Sequence, residues 1–326
     1  MRKTKTGLPS TSRVALLEIG TAFTKEILDY RKYQKLLSTY IKPIKESLDE
    51  NGRLHGMFSQ GVTVTGRFSS SKPNLQNIPS HGKEGDAVRS LFIASPGHKL
   101  IVADYSQIEL RFIAAYSQDL MLTQGFKNGT DLHSLTAKTI LGIESPNAEQ
   151  RFIGKTLNFS ISYGATEYSL RDTLIKEEVA YIPTLDECAQ YIKDFYSLYQ
   201  GILPWKDREI SKARYYKGVT TLYGRFIPLE NTDTKNKWQA AQLGRFVVSY
   251  LVQGTAADII RKAIILIAEQ VKGIRFLNTV HDELIYEVAE EHAEDYRLII
   301  KDIMENVGNL GFLVANVSIC NNWGEK

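Results

Sequence analysis

Three short stretches of the chain combine residue types that could do chemistry. In the first, an apolar run (Leu100, Ile101, Val102, Ala103) delivers Asp104 to its end, and Tyr105, Ser106, Gln107, Ile108, Glu109, Leu110 and Arg111 follow in a helical pattern. An aspartate at a strand end can ligate a metal; it can equally cap the helix that comes next. Glu109 and Arg111 read alternatively as helix-surface charges. In the second stretch Arg151, Lys155, Phe159 and Tyr163 recur every four residues, so on a helix they form one slowly drifting stripe. That stripe is cationic at its N-terminal end and aromatic at its C-terminal end. It suits a ligand with a polyphosphate at one end and a flat base at the other. Gly164 follows as the helix stop. The third stretch is His281, Asp282 and Glu283 at a tight turn between apolar strands. Alone it reads as well as a solvated hairpin tip. If its strand neighbours that of Asp104, two carboxylates share a sheet floor. Such a pair can hold two Mg2+ ions about 3.5–4 Å apart for in-line phosphoryl transfer.

The elements that must position these residues follow from pattern. Residues 61–80 begin as a strand and continue as an extended loop, because Pro73 and Pro79 exclude a helix. The loop is dense in donors: Arg67, Ser69, Ser70, Ser71, Asn74, Gln76 and Asn77. A stiff polar loop of this kind can track a sugar–phosphate chain. Residues 13–50 read as two or three helices, the first capped by Ser10 or Thr11. Tyr33, Leu36, Leu37 and Tyr40 make an apolar stripe there, with Arg31, Lys32, Lys35 and Ser38 on the other faces. Those cations form either a solvated face or a grip on phosphates. Residues 116–235 are mostly helical, with breaks at 125–129, 145–147 and 224. One or two long helices fill 236–272. Strands over 274–280 and 284–288, a helix near 291–306 and an extended stretch over 312–320 close the chain. Few strands between large helical blocks argue for an α+β fold rather than a doubly wound sheet.

Composition narrows the class further. The 326 residues are 43% hydrophobic, 24% charged and 10% aromatic, which excludes a collagenous, disordered or disulfide-stapled chain. Cys188 and Cys320 offer neither a disulfide framework nor a CxxC metal site, so a reducing compartment is expected. No apolar run reaches the roughly 18–20 residues of a membrane span, and no membrane partner is expected. The net charge is only +3, but residues 1–46 carry ten Lys and Arg against four Asp and Glu. A basic, hydroxyl-rich start can mark a transit peptide; the loop signal Gly7, Leu8, Pro9, Ser10 argues against one.

These stretches, taken together, resemble the polymerase region of family A DNA polymerases, the bacterial polymerase I type. Asp104 through Arg111 is similar to the family's motif A, Arg151 through Gly164 to motif B, and His281-Asp282-Glu283 to motif C. Thr65 through Ser70, Pro73 through Pro79, Asp131-Leu132-His133 and Gln253 through Asp258 match in order and with similar spacing. The resemblance implies a right-hand fold with an antiparallel-sheet palm, helical fingers and a partial helical thumb. The expected segments are a partial thumb over 1–60, palm over 61–114, fingers over 115–235 with the motif B helix at 151–163, and palm again over 236–326. It implies template-directed addition of dNTPs to a primer 3′-hydroxyl, with two Mg2+ ions and release of pyrophosphate. Asp104 and Asp282 are then metal ligands, assisted by the Tyr105 carbonyl, with Glu283 in the same motif. Lys155 contacts the triphosphate and protonates the leaving pyrophosphate, while Arg151 and His133 hold the β- and γ-phosphates. Phe159 lies under sugar and base, Tyr163 stacks at the template side, and Glu109 crowds the ribose 2′ position. Arg67, Asn74, Asn77, Arg245, Gln253 and His281 touch primer or template, as Lys35 does from the basic N-terminal helix. The implied partners are primer–template DNA and dNTPs, in the cytoplasm of a bacterium or a phage-infected host.

Two departures stand out. Ser249 replaces an asparagine common in the family, and Phe159 in place of tyrosine implies poor acceptance of dideoxynucleotides. The resemblance opens partway into the thumb and includes no exonuclease domain, so the expectation is synthesis without proofreading. The alternative is a catalytic subunit or fragment of a split polymerase, with a partner protein supplying the rest of the thumb or an exonuclease. A metal-dependent nuclease would not need the Arg151–Tyr163 stripe, and a single-subunit RNA polymerase would lack the acid at Glu109.

Overall fold

Leu100, Ile101, Val102 and Ala103 are almost wholly buried, as are Leu284, Ile285, Tyr286 and Val288. Strands apolar on both faces must lie inside a sheet that is covered on each side. Such a pair forms the middle of a four-stranded antiparallel sheet in the order 275–280, 283–289, 98–105, 315–320. The computed structural model describes residues 2–4, 6–79, 82–230 and 232–326. The helix Ala293–Asn306 packs on this sheet through Ile300, Ile303 and Met304. Short two-stranded ribbons pair 57–59 with 69–71 and 218–220 with 226–228.

The chain divides into two units. One comprises residues 1–38, 113–215 and 231–248; the other comprises 39–112, 216–230 and 249–326 and contains the four-stranded sheet. The helix Arg13–Ile19 packs against Glu167–Lys176. Glu18 accepts hydrogen bonds from Arg2 (2.6 Å) and Arg171 (2.9 Å), and Arg2 also reaches Asp172 (2.7 Å). These charge-assisted bonds hold the Glu18 pKa down to about 2.

The boundary at residue 38 falls inside a helical run. Ala22–Lys35 passes into the π-helical turn Leu36–Ile41 and then Lys42–Glu46. Pro43 has no N–H to give and its ring would crowd the carbonyl four residues back, so a widened turn relieves both conflicts.

Several local expectations are corrected. Ser12, not Ser10 or Thr11, caps the first helix by accepting from the Ala15 amide. Residues 61–65 are not a strand. Met57 pairs with Ser71 and Ser59 with Ser69, which leaves 60–68 as the connection of a hairpin, turning at Gly66 with φ 81°. The one or two long helices expected over 236–272 are borne out as a single one, Lys237–Gln270. Among the described residues, no helix is long and apolar enough to cross a membrane.

Candidate active site

The sheet sets the carboxylates. Asp104 is opposite Glu283 on one neighbouring strand and Asn316 on the other. The amide of Tyr105 donates to the Asp282 carbonyl at 3.3 Å, so the end of one strand is tied to the hairpin turn of the next. Asp104 is therefore a strand-end carboxylate. The following helix starts only at Ile108, and the cap reading fails. The turn between Val280 and Glu283 contains just His281 and Asp282, with His281 at φ 56°. A non-glycine residue held in the left-handed region stores strain, which concentrates at functional sites.

Burial and the nearby Asp104 charge push the Asp282 pKa up to about 7. Burial raises Asp104 as well, although the Lys326 ammonium 3.1 Å from its Oδ2 opposes the shift. Two crowded carboxylates, each resisting its charge, form a donor set that suits a hard divalent cation. Among the described residues no group of three or more His, Cys, Asp or Glu is arranged so that it could hold a metal ion by itself. A cation here would complete its shell from a backbone carbonyl, substrate oxygens and water.

Glu283 is 4% exposed. Its carboxylate accepts from Trp323 Nε1 at 2.8 Å and from Lys326, and it lies 3.7 Å from Arg89. Arg89 in turn stacks over the Trp323 ring, 4.2 Å from its centroid. The closing residues of the chain are thus pinned beneath the carboxylate pair. The Tyr105 side chain points into the core, its hydroxyl donating to the Met304 carbonyl at 3.0 Å.

The polar loop stands close by in the same unit. Arg67 pairs with Glu109, and a small cleft brings Arg67, Phe68 and Gln76 together with His281. Arg225 fixes this loop from behind: it donates to the carbonyls of Thr65 (2.8 Å) and Gly254 (2.9 Å) and pairs with Asp258 at 2.6 Å. Asn74 spends its side-chain oxygen on the Gln76 amide as a local cap, whereas Asn77 is exposed. Gln253 lies half-buried on the long helix.

In the other unit the stripe residues lie on the helix Ala148–Ser162, which opens with a capping box between Asn147 and Gln150. Arg151 and Lys155 are exposed, and Phe159 and Tyr163 half-exposed, so the stripe faces outward as its spacing predicts. Tyr163 is the C-cap rather than the last helical residue. The opposite face packs on the helix Leu132–Leu141 so closely that a Cβ on Gly154 would lie 2.1 Å from the His133 carbonyl. Arg151 is held by Asp131 through two hydrogen bonds of 2.5 and 3.2 Å. Partial burial favours the neutral acid, yet Arg151 and Ser134 hold Asp131 at about 2.

His133 is 3% exposed, and burial followed by the Arg151 charge lowers its pKa to about 4. Asn158 Nδ2 donates to His133 Nδ1 at 2.9 Å, which leaves the imidazole proton on Nε2. Its ring lies 6.0 Å from that of Phe159. Arg245 lies against Gly164. Lys35 is exposed in the last turn of its helix together with Lys32, a place where cations also suit the helix dipole.

Sequence reasoning did not single out Asp131, Asn158, Arg89, Trp323, Lys326 or Arg225 as site residues. Only Asp131 carried a signal, its place two residues before His133.

One unit thus holds an antiparallel sheet that ends on two carboxylates, and the other a helix that bears a cation–aromatic stripe. The sequence matches DNA polymerase family A over residues 1–325, and the chain belongs to that family. Family membership brings a divalent-metal cofactor in general terms. The chain is 38% identical over 316 residues to a DNA polymerase I of Rhizobium leguminosarum, covering 93% of this chain and 30% of that protein. It is 37% identical over 329 residues to the thermostable DNA polymerase I of Thermus aquaticus, covering 98% of this chain and 38% of that one. Among solved structures, the POL domain of Pol1 from M. smegmatis in complex with DNA primer-template and dNTP is similar at a TM-score of 0.91 and 30% identity, over 99% of this chain and 58% of that one. The chain spans well under half the length of these two curated relatives.

Proposed function

We propose that this chain is a DNA-directed DNA polymerase that adds dNTPs to a primer 3′-hydroxyl on a DNA template and releases pyrophosphate. The unit with the four-stranded sheet serves as the palm, and the helices over 113–215 serve as the fingers. The observation that carries this reading is the pair Asp104 and Asp282, tied together at adjacent strand ends and crowded enough to resist ionisation.

When bound there, two Mg2+ ions would lower the pKa of the attacking hydroxyl and neutralise the departing pyrophosphate. Asp104, Asp282 and the Tyr105 carbonyl would hold them. Arg151, oriented by Asp131, and the Nε2–H of neutral His133 would donate to the β- and γ-phosphates. Lys155 would supply the leaving pyrophosphate with its proton. Phe159 and Tyr163 would offer flat faces to sugar, base and template. Glu109, fixed by Arg67, would occupy the space of a ribose 2′-hydroxyl. Arg67, His281, Asn74, Asn77, Gln253 and Arg245 would reach the minor groove. Acceptors there are nearly the same for every correct pair, so such contacts check geometry without reading sequence.

The test is primer extension by the purified chain with dNTPs and Mg2+. Extension is expected, and it should vanish in Asp104→Ala and in Asp282→Ala. Synthesis that survives either change would overturn the assigned site. Extension only after adding a second polypeptide would favour the split-polymerase alternative.

A further inference from the structure

The C-terminal turn of the helix Ala148–Ser162 accounts for its orphan carbonyls one by one. Phe159 O accepts from the Tyr163 amide at 3.2 Å, Ser160 O from Ala165 at 2.9 Å and Ile161 O from Gly164 at 2.9 Å. With Gly164 at φ 85°, this is a Schellman closure, and it leaves Ser162 O without a backbone donor. Lys206 fills the gap from a neighbouring helix, Nζ donating to Ser162 O at 3.2 Å. The same ammonium donates to the Tyr196 hydroxyl at 3.1 Å, and that hydroxyl donates to Ile161 O at 3.0 Å.

Lys206 is 8% exposed, and no carboxylate among the described residues lies within 4.0 Å of it. A buried cation without a counter-ion is costly unless dipoles replace one. Here the negative end of the helix dipole and a tyrosine ring, 5.5 Å away, take that part. The clamp also touches the residue beside the stripe. A Cβ on Gly164 would lie 3.8 Å from Lys206 Nζ and 3.2 Å from Arg245 Cγ.

We propose that Lys206 is a positioning residue for nucleotide binding: clamped between the Ser162 carbonyl and the Tyr196 hydroxyl, it fixes the turn that sets Tyr163 and Gly164 at the end of the stripe. The inference rests on the reading that this helix holds the incoming nucleotide, and it gives that helix end a support the motif itself does not contain. The charged and titratable groups facing Lys206 are Asp207 on its own helix, Tyr196, whose hydroxyl burial pushes up to about 12, and Arg245 beside Gly164. Burial lowers the Lys206 pKa to about 8, so its ammonium loses charge in mild alkali.

The test is single-nucleotide insertion by Lys206→Met, which keeps the length and apolar stem but removes charge and donors. The expected result is a dNTP KM raised about tenfold with kcat changed less than about twofold, the equivalent of losing one charge-assisted contact. Wild-type KM should rise above pH 8 while the variant's KM stays flat. Thermal unfolding run alongside checks the fold: loss of the donor leaves the Ser162 carbonyl unsatisfied, so a modest fall in Tm is expected, and the KM effect should persist at temperatures well below the lowered Tm. Tyr196→Phe, which loses only the hydroxyl, should raise KM in the same direction by a smaller factor, and it serves if Lys206→Met does not fold.

Wild-type KM in both folded variants would overturn the proposal. Arg151→Ala run alongside locates the failure. If it raises KM, the positioning role alone is wrong; if it too leaves KM unchanged, the assignment of this helix to the nucleotide is wrong.

Discussion

Asp282 is a destabilising group in the metal-free protein, and replacing it with asparagine should strengthen the fold while ending catalysis. Its carboxyl has an ordinary pKa of 3.8 and sits at about 7 in the folded chain, through burial and the Asp104 charge. The folded state therefore holds its proton more tightly than the unfolded state. Stability falls as pH rises from 3.8 to 7 and stays at its lowest above that. About three pKa units correspond to an upper bound of about 4 kcal/mol at pH 8. Water at this partly exposed side chain and movement of the Lys326 ammonium bring the expected gain for Asp282→Asn to about 2 kcal/mol. For a chain of 326 residues that is roughly 3 °C in Tm. The assay is thermal unfolding of both proteins in chelator at pH 8, 6.5 and 5. The gap should be widest at pH 8, shrink as pH falls and vanish below about 4. Added Mg2+ should raise the wild-type Tm and leave the variant nearly unmoved. A variant no more stable than wild type at pH 8, or a gap that widens on acidification, would refute the argument.

Two further outcomes follow. Glu283→Gln leaves the buried Arg89 guanidinium without its carboxylate and Lys326 with Asp104 alone, so it should cost about 3 kcal/mol in chemical denaturation; its loss of stability should exceed its loss of activity per folded molecule. His133, with a pKa lowered to about 4, stays neutral throughout the working range, so dNTP KM should show no inflection near pH 6.5 in steady-state kinetics.

Much of the site was legible because its signals are local. Asp104 ends an apolar run, His281 and Asp282 interrupt another, and Arg151 through Tyr163 repeat at helical spacing; each pattern is complete within about fifteen residues. What escaped depends on partners distant in sequence. Lys206 lies in the run Lys206, Asp207, Arg208, Glu209, which reads as a solvated helix face, and only tertiary packing turns Lys206 inward. Arg89 and Trp323 meet across more than two hundred residues. The strand expected at 61–65 failed for a related reason: alternating Val and Thr satisfy the strand pattern, but the pairing of 57–59 with 69–71 makes that stretch the bend. Residues 1–38 cluster with the helices of 113–215 through ion pairs that no pattern in the first forty residues announces.

The two-residue turn between Val280 and Glu283 carries a consequence for how this segment can change over time. Side chains alternate faces along a strand, so inserting or deleting one residue there would turn the whole of 283–289 over. Asp282 would leave its neighbour, and six consecutive buried side chains would exchange one covered face of the sheet for the other, each meeting packing shaped for a different residue. Substitutions in the turn can be tried one at a time by drift, but a change of length cannot. Descendants of this gene should therefore vary in spelling here far more readily than in spacing, and the surface loops should absorb the insertions.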